Sequence, residues 1–166
     1  MRNKSSKGRT NSIISWIGFV LILVTLFLVF RYVITITIIS GESMSPTLHD
    51  NDIILTNNLF FTPEKNDIIL YRDSNGFDVI KRIIAMPNDE VEIKDGVVIV
   101  NGEPIEENYT NGESSDMPQI TVAENTYFVM GDNRTPGASL DSRNSDIGPI
   151  DKEKVKGKLL VRLYPF

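Results

Sequence analysis

Ser43 sits in Gly41-Glu42-Ser43-Met44-Ser45-Pro46-Thr47-Leu48, a turn-forming stretch in which proline restricts both itself and the residue before it. A serine hydroxyl presented on such a corner can act as a nucleophile if a neighbouring base takes its proton. Histidine is the usual base. The one histidine, His49, lies in the polar turn His49-Asp50-Asn51-Asp52 and reads as a solvated loop residue. A lysine can replace it when burial disfavours the charged ammonium and brings its pKa towards neutrality. Lys152, Lys154, Lys156 and Lys158 form a charged, solvated run, and Lys65 and Lys94 flank turns. Lys81 differs. It lies within Val79-Ile80-Lys81-Arg82-Ile83-Ile84, where strand alternation puts Val79 and Ile83 on its own face. The pattern leaves two readings open, a lysine kept dry by those neighbours or one on the solvent face of a strand edge.

A third stretch is Gly131-Asp132-Asn133-Arg134, followed by Ser139-Leu140-Asp141-Ser142-Arg143. It is dense in hydrogen-bonding side chains. Aspartate and arginine can pair bidentately and stiffen a loop, and a serine hydroxyl can orient a neutral amine. Three such stretches in one short chain favour a serine–lysine hydrolase over coincidence.

Composition narrows the chemistry further. With no cysteine and a single histidine among 166 residues, the chain has neither disulfides nor thiolate nor multi-histidine metal sites, and the reading calls for no cofactor and no metal. Five of the 17 basic residues precede residue 32 and none of the 22 acidic ones do, which leaves the remainder with 12 against 22. So acidic a body is poorly suited to nucleic-acid phosphates.

The elements that must hold these residues are of two kinds. Ile13 to Phe30 is uncharged and apolar, and Tyr32 to Ile39 continues beyond Arg31. Roughly 20 such residues cross a bilayer core. Arg31 can snorkel to the interface, with Trp16 and Tyr32 near the two ends. The run exceeds a secretory signal's apolar core and lacks a small-x-small exit, so it reads as an uncleaved anchor over 13–34 behind a basic cytoplasmic tail, 1–12. Basic residues in front put the amino terminus in the cytoplasm and residues 35–166 outside.

That outer part reads as short strands. They are expected at Tyr32–Ile39, Asp52–Thr56, Asp67–Tyr71, Phe77–Ala85, Glu90–Lys94, Val97–Val100, Gln119–Val122, Thr126–Met130 and Lys158–Leu163. Asn75-Gly76, Asp95-Gly96 and Asn101-Gly102 supply turns. Asn88 tolerates the left-handed region. Glu103–Asp116 is expected to be an exposed acidic loop, and Asp151–Lys156 a single helical turn. Leu59-Phe60-Phe61 is either core packing or an interfacial foot. The fold class is mainly β after one membrane helix.

In order, the basic start, the anchor, GESMSPTL, KRIIAMPND and GDNR…SLDSR make the sequence resemble type I signal peptidases of the single-anchor, Gram-positive-like form with a serine–lysine dyad. The resemblance implies Ser43 as nucleophile and Lys81 as general base. It implies Ser139 as the serine that positions the lysine, and Asp132, Asp141 and Arg143 as residues that stabilise the site. The Ser43 backbone N–H is the oxyanion donor. Some relatives add a serine two residues before the nucleophile, where this chain has Gly41. It also implies a β-rich catalytic domain with a small β-cap, here 90–124, and removal of signal peptides from exported preproteins. The partners implied are those signal peptides and the lipid bilayer, with the secretion translocon a further candidate. Thr135-Pro136-Gly137-Ala138 is two residues longer than usual, an insertion a Pro-Gly bulge can absorb. Ala85 and Asn88 stand where glycines are usual.

Self-cleaving repressors of the same broad fold are cytosolic, which the anchor opposes. The histidine-based branch would need histidine in place of Lys81. An idle membrane-anchored chaperone for pilus or surface-protein assembly would tend to lose the serine or the lysine, and this chain has both.

Overall fold

The computed structural model describes residues 6–59 and 61–164; Arg2, Lys4 and the Phe60 of the apolar triplet lie outside them. Helix α1 runs Ser6–Leu28 and loosens into a π-turn at Val29–Val33. Across the two, Ser12–Val33 is long and apolar enough to cross a membrane, and none of its apolar window is buried in the protein. The β-branched run that follows then takes over as strand β1, Ile34–Ile38.

Two antiparallel sheets make up the rest. The larger contains β1, β2 (Ile53–Asn57), β3 (Ile68–Arg72), β4 (Asp78–Ala85), β9 (Thr126–Met130), β10 (Ile150–Asp151) and β11 (Val155–Tyr164). Its order is β1-β2-β11-β3-β4-β9-β10. The smaller is β7-β6-β5-β8, from β5 (Glu90–Lys94), β6 (Val97–Val100), β7 (Glu103–Pro104) and β8 (Met117–Thr121). The mainly β expectation therefore holds. The turns fall where left-handed backbone is cheap: Asp95 and Gly96 both have positive φ in the β5–β6 hairpin, and Asn88 has φ 71°. The expected helical turn is a short 3-10 segment, Lys152–Lys154.

β4 is hydrogen-bonded on both edges, and packing on both sides buries it from Lys81 onward. Ile83 packs with Ile69, Tyr71 and Val129 on one side. Ile84 and Ala85 pack with Phe128, Val91 and Val98 on the other, where the small sheet meets the large one. A third cluster seats the serine turn, because Met44 and Leu48 bury against Ile39, Ile54 and Ile68. Fully burying each of those two side chains contributes about 1.5–3 kcal/mol, so the turn is fixed from beneath.

Glu103–Asp116 is largely exposed, as expected, but part of it packs back on the protein. Tyr109 is half-buried, Ser114 is buried, and Asn111 bridges to Asn133. Of its acidic residues, Glu107 pairs with a cation from elsewhere in the chain, Arg134; Glu103, Glu106, Glu113 and Asp116 are exposed.

Candidate active site

The serine turn is held at both ends. Ile39 N–H donates to the Asp52 carbonyl and Asn51 N–H to the Ile39 carbonyl. Buried Asp52 takes the His49 N–H at 2.9 Å and the Arg162 guanidinium at 3.2 Å. His49 itself is exposed, as a solvated loop residue should be. Between these fixed ends Ser43 opens onto a cleft of about 750 Å³. Among the described residues its backbone N–H has no hydrogen-bond partner.

Lys81 comes to the same cleft from β4, directly opposite Ile69 of β3. Its side chain is buried, with 3% of the residue exposed. Of the two readings left open by the strand pattern, the structure selects the dry one, because the serine turn and the loop after β9 lie against that face of β4. Nζ lies 2.7 Å from Ser43 Oγ. Burial lowers the lysine pKa from 10.5 to about 8; Asp141 and Asp132 oppose that shift and Arg143 adds to it.

The loop after β9 lies under both groups. Asn133 N–H donates to the Ser43 carbonyl at 3.1 Å, and its side-chain amide donates to the Glu42 carbonyl. Gly131 must be glycine: a Cβ there would overlap the Ser43 carbonyl oxygen and the Ser139 hydroxyl. Its N–H donates to Asp141 Oδ2 at 2.9 Å. The Ser139 hydroxyl donates to that same oxygen at 2.6 Å, so this serine is bonded to Asp141 rather than to Lys81. The insertion before it forms a turn closed by Ala138 N–H on the Thr135 carbonyl, with Gly137 at positive φ. Arg143 grips both Asp141 oxygens at 2.8 Å. Burial pushes the Asp141 carboxyl up, but the arginine and the two other donors outweigh it and hold the group below its ordinary range.

Asp132 is fully buried and is paired bidentately by Arg82, Nε to Oδ1 at 2.8 Å and Nη2 to Oδ2 at 2.6 Å. The Thr47 hydroxyl also donates to Asp132, tying the serine turn to this loop. Arg82, Thr47, Arg134 and Gly131 are site residues that the sequence reading did not single out. The signal for Arg82 was its position beside Lys81: strand alternation sends the two side chains to opposite faces, one to the cleft and one to Asp132.

A hydroxyl and a buried amine in contact, with an unpartnered N–H beside them and carboxylates stiffened behind, is an arrangement suited to acyl transfer. Known proteins point the same way. The family description "signal peptidase, peptidase S26" matches residues 13–164. Signal peptidase I of Bacillus licheniformis is 32% identical over 182 residues, covering 100% of this chain and 96% of that protein. Signal peptidase I S of Bacillus subtilis strain 168 is also 32% identical, covering 96% of this chain and 93% of its own length. The crystal structure of a signal peptidase I from Enterococcus faecalis V583 shares the fold at TM-score 0.53 and 31% identity, over 60% of this chain and 98% of that one. The chain belongs to the signal peptidase family, peptidase S26.

Proposed function

We propose that the protein is a membrane-anchored serine endopeptidase that removes signal peptides from exported preproteins, with Ser43 as nucleophile and Lys81 as general base. The observation that carries this reading is the 2.7 Å contact between Ser43 Oγ and a buried Lys81 Nζ. With the amine neutral, the hydroxyl donates to nitrogen and its oxygen is free to attack the scissile carbonyl. The proton passes to Lys81 as the new C–O bond forms, and the carbonyl oxygen gains charge facing the Ser43 N–H. Lys81 then returns the proton to the departing amine as the C–N bond breaks, which leaves an acyl-enzyme. Water loses a proton to Lys81, attacks the ester and releases the acid, and the proton goes back to Ser43.

Ser139, Asp141, Arg143 and Asp132 serve as supports in this scheme. Ser139 acts on the site through Asp141, and Asp132 holds the serine turn through Thr47. In the membrane, residues 13–34 form the anchor, the basic tail 1–12 stays in the cytoplasm, and residues 35–166 work outside as the catalytic domain, with 90–124 as its cap. The charge asymmetry of the chain supports that orientation. The preprotein signal peptide and the bilayer are the partners, with the translocon a further one. Ser43→Ala and Lys81→Ala, each assayed on a preprotein in detergent or vesicles, should abolish cleavage. Full activity in either variant would remove the dyad.

A further inference from the structure

The segment joining β7 to β8 touches three arginines, one on β4 and two in the loop after β9. The Tyr109 ring lies under the Arg82 guanidinium, 4.0 Å from ring centroid to the central carbon. Glu107 takes both terminal nitrogens of Arg134, whose side chain is 2% exposed. Ser114 Oγ accepts from Arg143 at 3.4 Å. Backbone bonds sew the same segment on: Asn111 N–H donates to the Asp132 carbonyl at 3.1 Å, and Arg134 N–H to the Asn111 carbonyl at 2.7 Å.

Each of those arginines has its other end in the active-site loop. Arg82 pairs with Asp132, Arg143 pairs with Asp141, and Arg134 Nε donates to the Gly131 carbonyl at 2.8 Å. Gly131 and Asn133 in turn press against or bond the Ser43 carbonyl. None of Glu107, Tyr109 and Ser114 lines the cleft. A guanidinium over a tyrosine ring is attracted by the ring's negative face, which favours this placement of Arg82.

We propose that the Glu107–Ser114 segment is a positioning brace for the catalytic pair, with Tyr109 and Glu107 as positioning residues that fix Arg82 and Arg134 and, through them, the loop beneath Ser43. This rests on the dyad reading above. Tyr109 is suited to the part: burial, with the nearby Glu107 charge, pushes its phenol up to about 12, so the ring stays neutral beneath the cation. Its hydroxyl donates to Glu107 at 3.2 Å, which links the two contacts.

The test compares Tyr109→Leu, Tyr109→Phe and Glu107→Gln in the full chain, in detergent, with preprotein cleavage normalised to the folded fraction. Tyr109→Leu should lower kcat at least about tenfold, as expected when a catalytic group is misplaced by a fraction of an ångström, with KM within about twofold. Tyr109→Phe keeps the ring and should restore most of kcat. Glu107→Gln keeps the shape but loses the charge on Arg134 and should lower kcat in the same way. In the slowed variants the pH profile of kcat should also move up, because water entering behind the pair relieves the burial of Lys81. The groups facing that lysine are Asp141, Asp132 and Arg143. A wild-type kcat and pH profile in both Tyr109→Leu and Glu107→Gln would overturn the brace, as would an equal loss in Tyr109→Phe and Tyr109→Leu. If Tyr109→Leu does not fold, Glu107→Gln and Tyr109→Phe decide the matter. Loss of cleavage in Ser43→Ala beside unaltered brace variants would sink this inference alone; full cleavage in Ser43→Ala would sink the dyad instead.

Discussion

Gly131 lies so close beneath Ser43 that no side chain fits between them: a Cβ on residue 131 would overlap the Ser43 carbonyl oxygen. Ser139 crowds the same point from the other side. The serine turn and the loop after β9 therefore meet through bare backbone, and the position of the nucleophile depends on the smallest residue in the site.

Gly131→Ala should cost activity more than stability. Relieving the overlap requires Ser43 or Ser139 to move, and overpacking of this kind costs about 1–3 kcal/mol. Misplacement of a nucleophile by about 1 Å can cost about 100-fold in rate. Measured kcat/KM should fall by about that factor while thermal unfolding remains cooperative. A variant with normal kcat/KM would show that the contact is slack.

Cleavage should rise with pH. Lys81 has a pKa of about 8 and must be neutral to accept a proton, so the base form grows as pH rises through that value. Initial rates of preprotein cleavage between pH 6 and 9.5 should climb roughly tenfold per unit at the acid end and level off above pH 8. A flat profile across that range would show that some other group takes the proton.

The same lysine should weaken the fold at neutral pH. Its folded pKa, about 8, lies below the ordinary 10.5, so folding disfavours the charged form. Below pH 8 the cost is fully present, between 8 and 10.5 the unfolded chain binds more protons and stability recovers, and above 10.5 the cost is gone. Lys81→Met, similar in length and uncharged, should therefore be more stable than the wild type at pH 7 by up to about 3 kcal/mol. Unfolding midpoints in detergent should draw together as pH rises from 8 and converge only above about 10.5. A gap that does not change with pH would indicate a packing effect instead.

Arg82 and Asp132 form a buried bidentate pair, and removing one partner leaves the other charge without compensation. Arg82→Lys supplies a point charge where the carboxylate requires a planar fork. Both Arg82→Lys and Asp132→Asn should lower stability, by about 3 kcal/mol for the broken pair. They should also reduce kcat, since Thr47 shares the same carboxylate. Thermal unfolding and cleavage rates measured side by side would show it, and a variant unchanged in both would remove Asp132 from the support of the serine turn.

The sequence by itself determined the parts governed by local rules. The uncharged apolar run could form only a membrane-length helix, alternation marked β4, and Asp95-Gly96 and Asn88 fell at left-handed positions because few other residues tolerate them. Whether Lys81 was dry could not be read from its own strand, since burial depends on what covers the face. Tertiary structure decided it by laying the serine turn and the loop after β9 against that face. The partner of Ser139 was likewise undecided along the chain, where a hydroxyl can reach several acceptors, and in the fold it bonds Asp141. The acidic stretch around Glu107 and Tyr109 looked like solvated loop because its cations come from far along the chain, Arg134 from the loop after β9 and Arg82 from β4. Pairs joined across such separations, such as Lys81 and Ser43 at 38 residues and Arg82 and Asp132 at 50, leave no periodic trace in a sequence, and only the folded sheets bring them together.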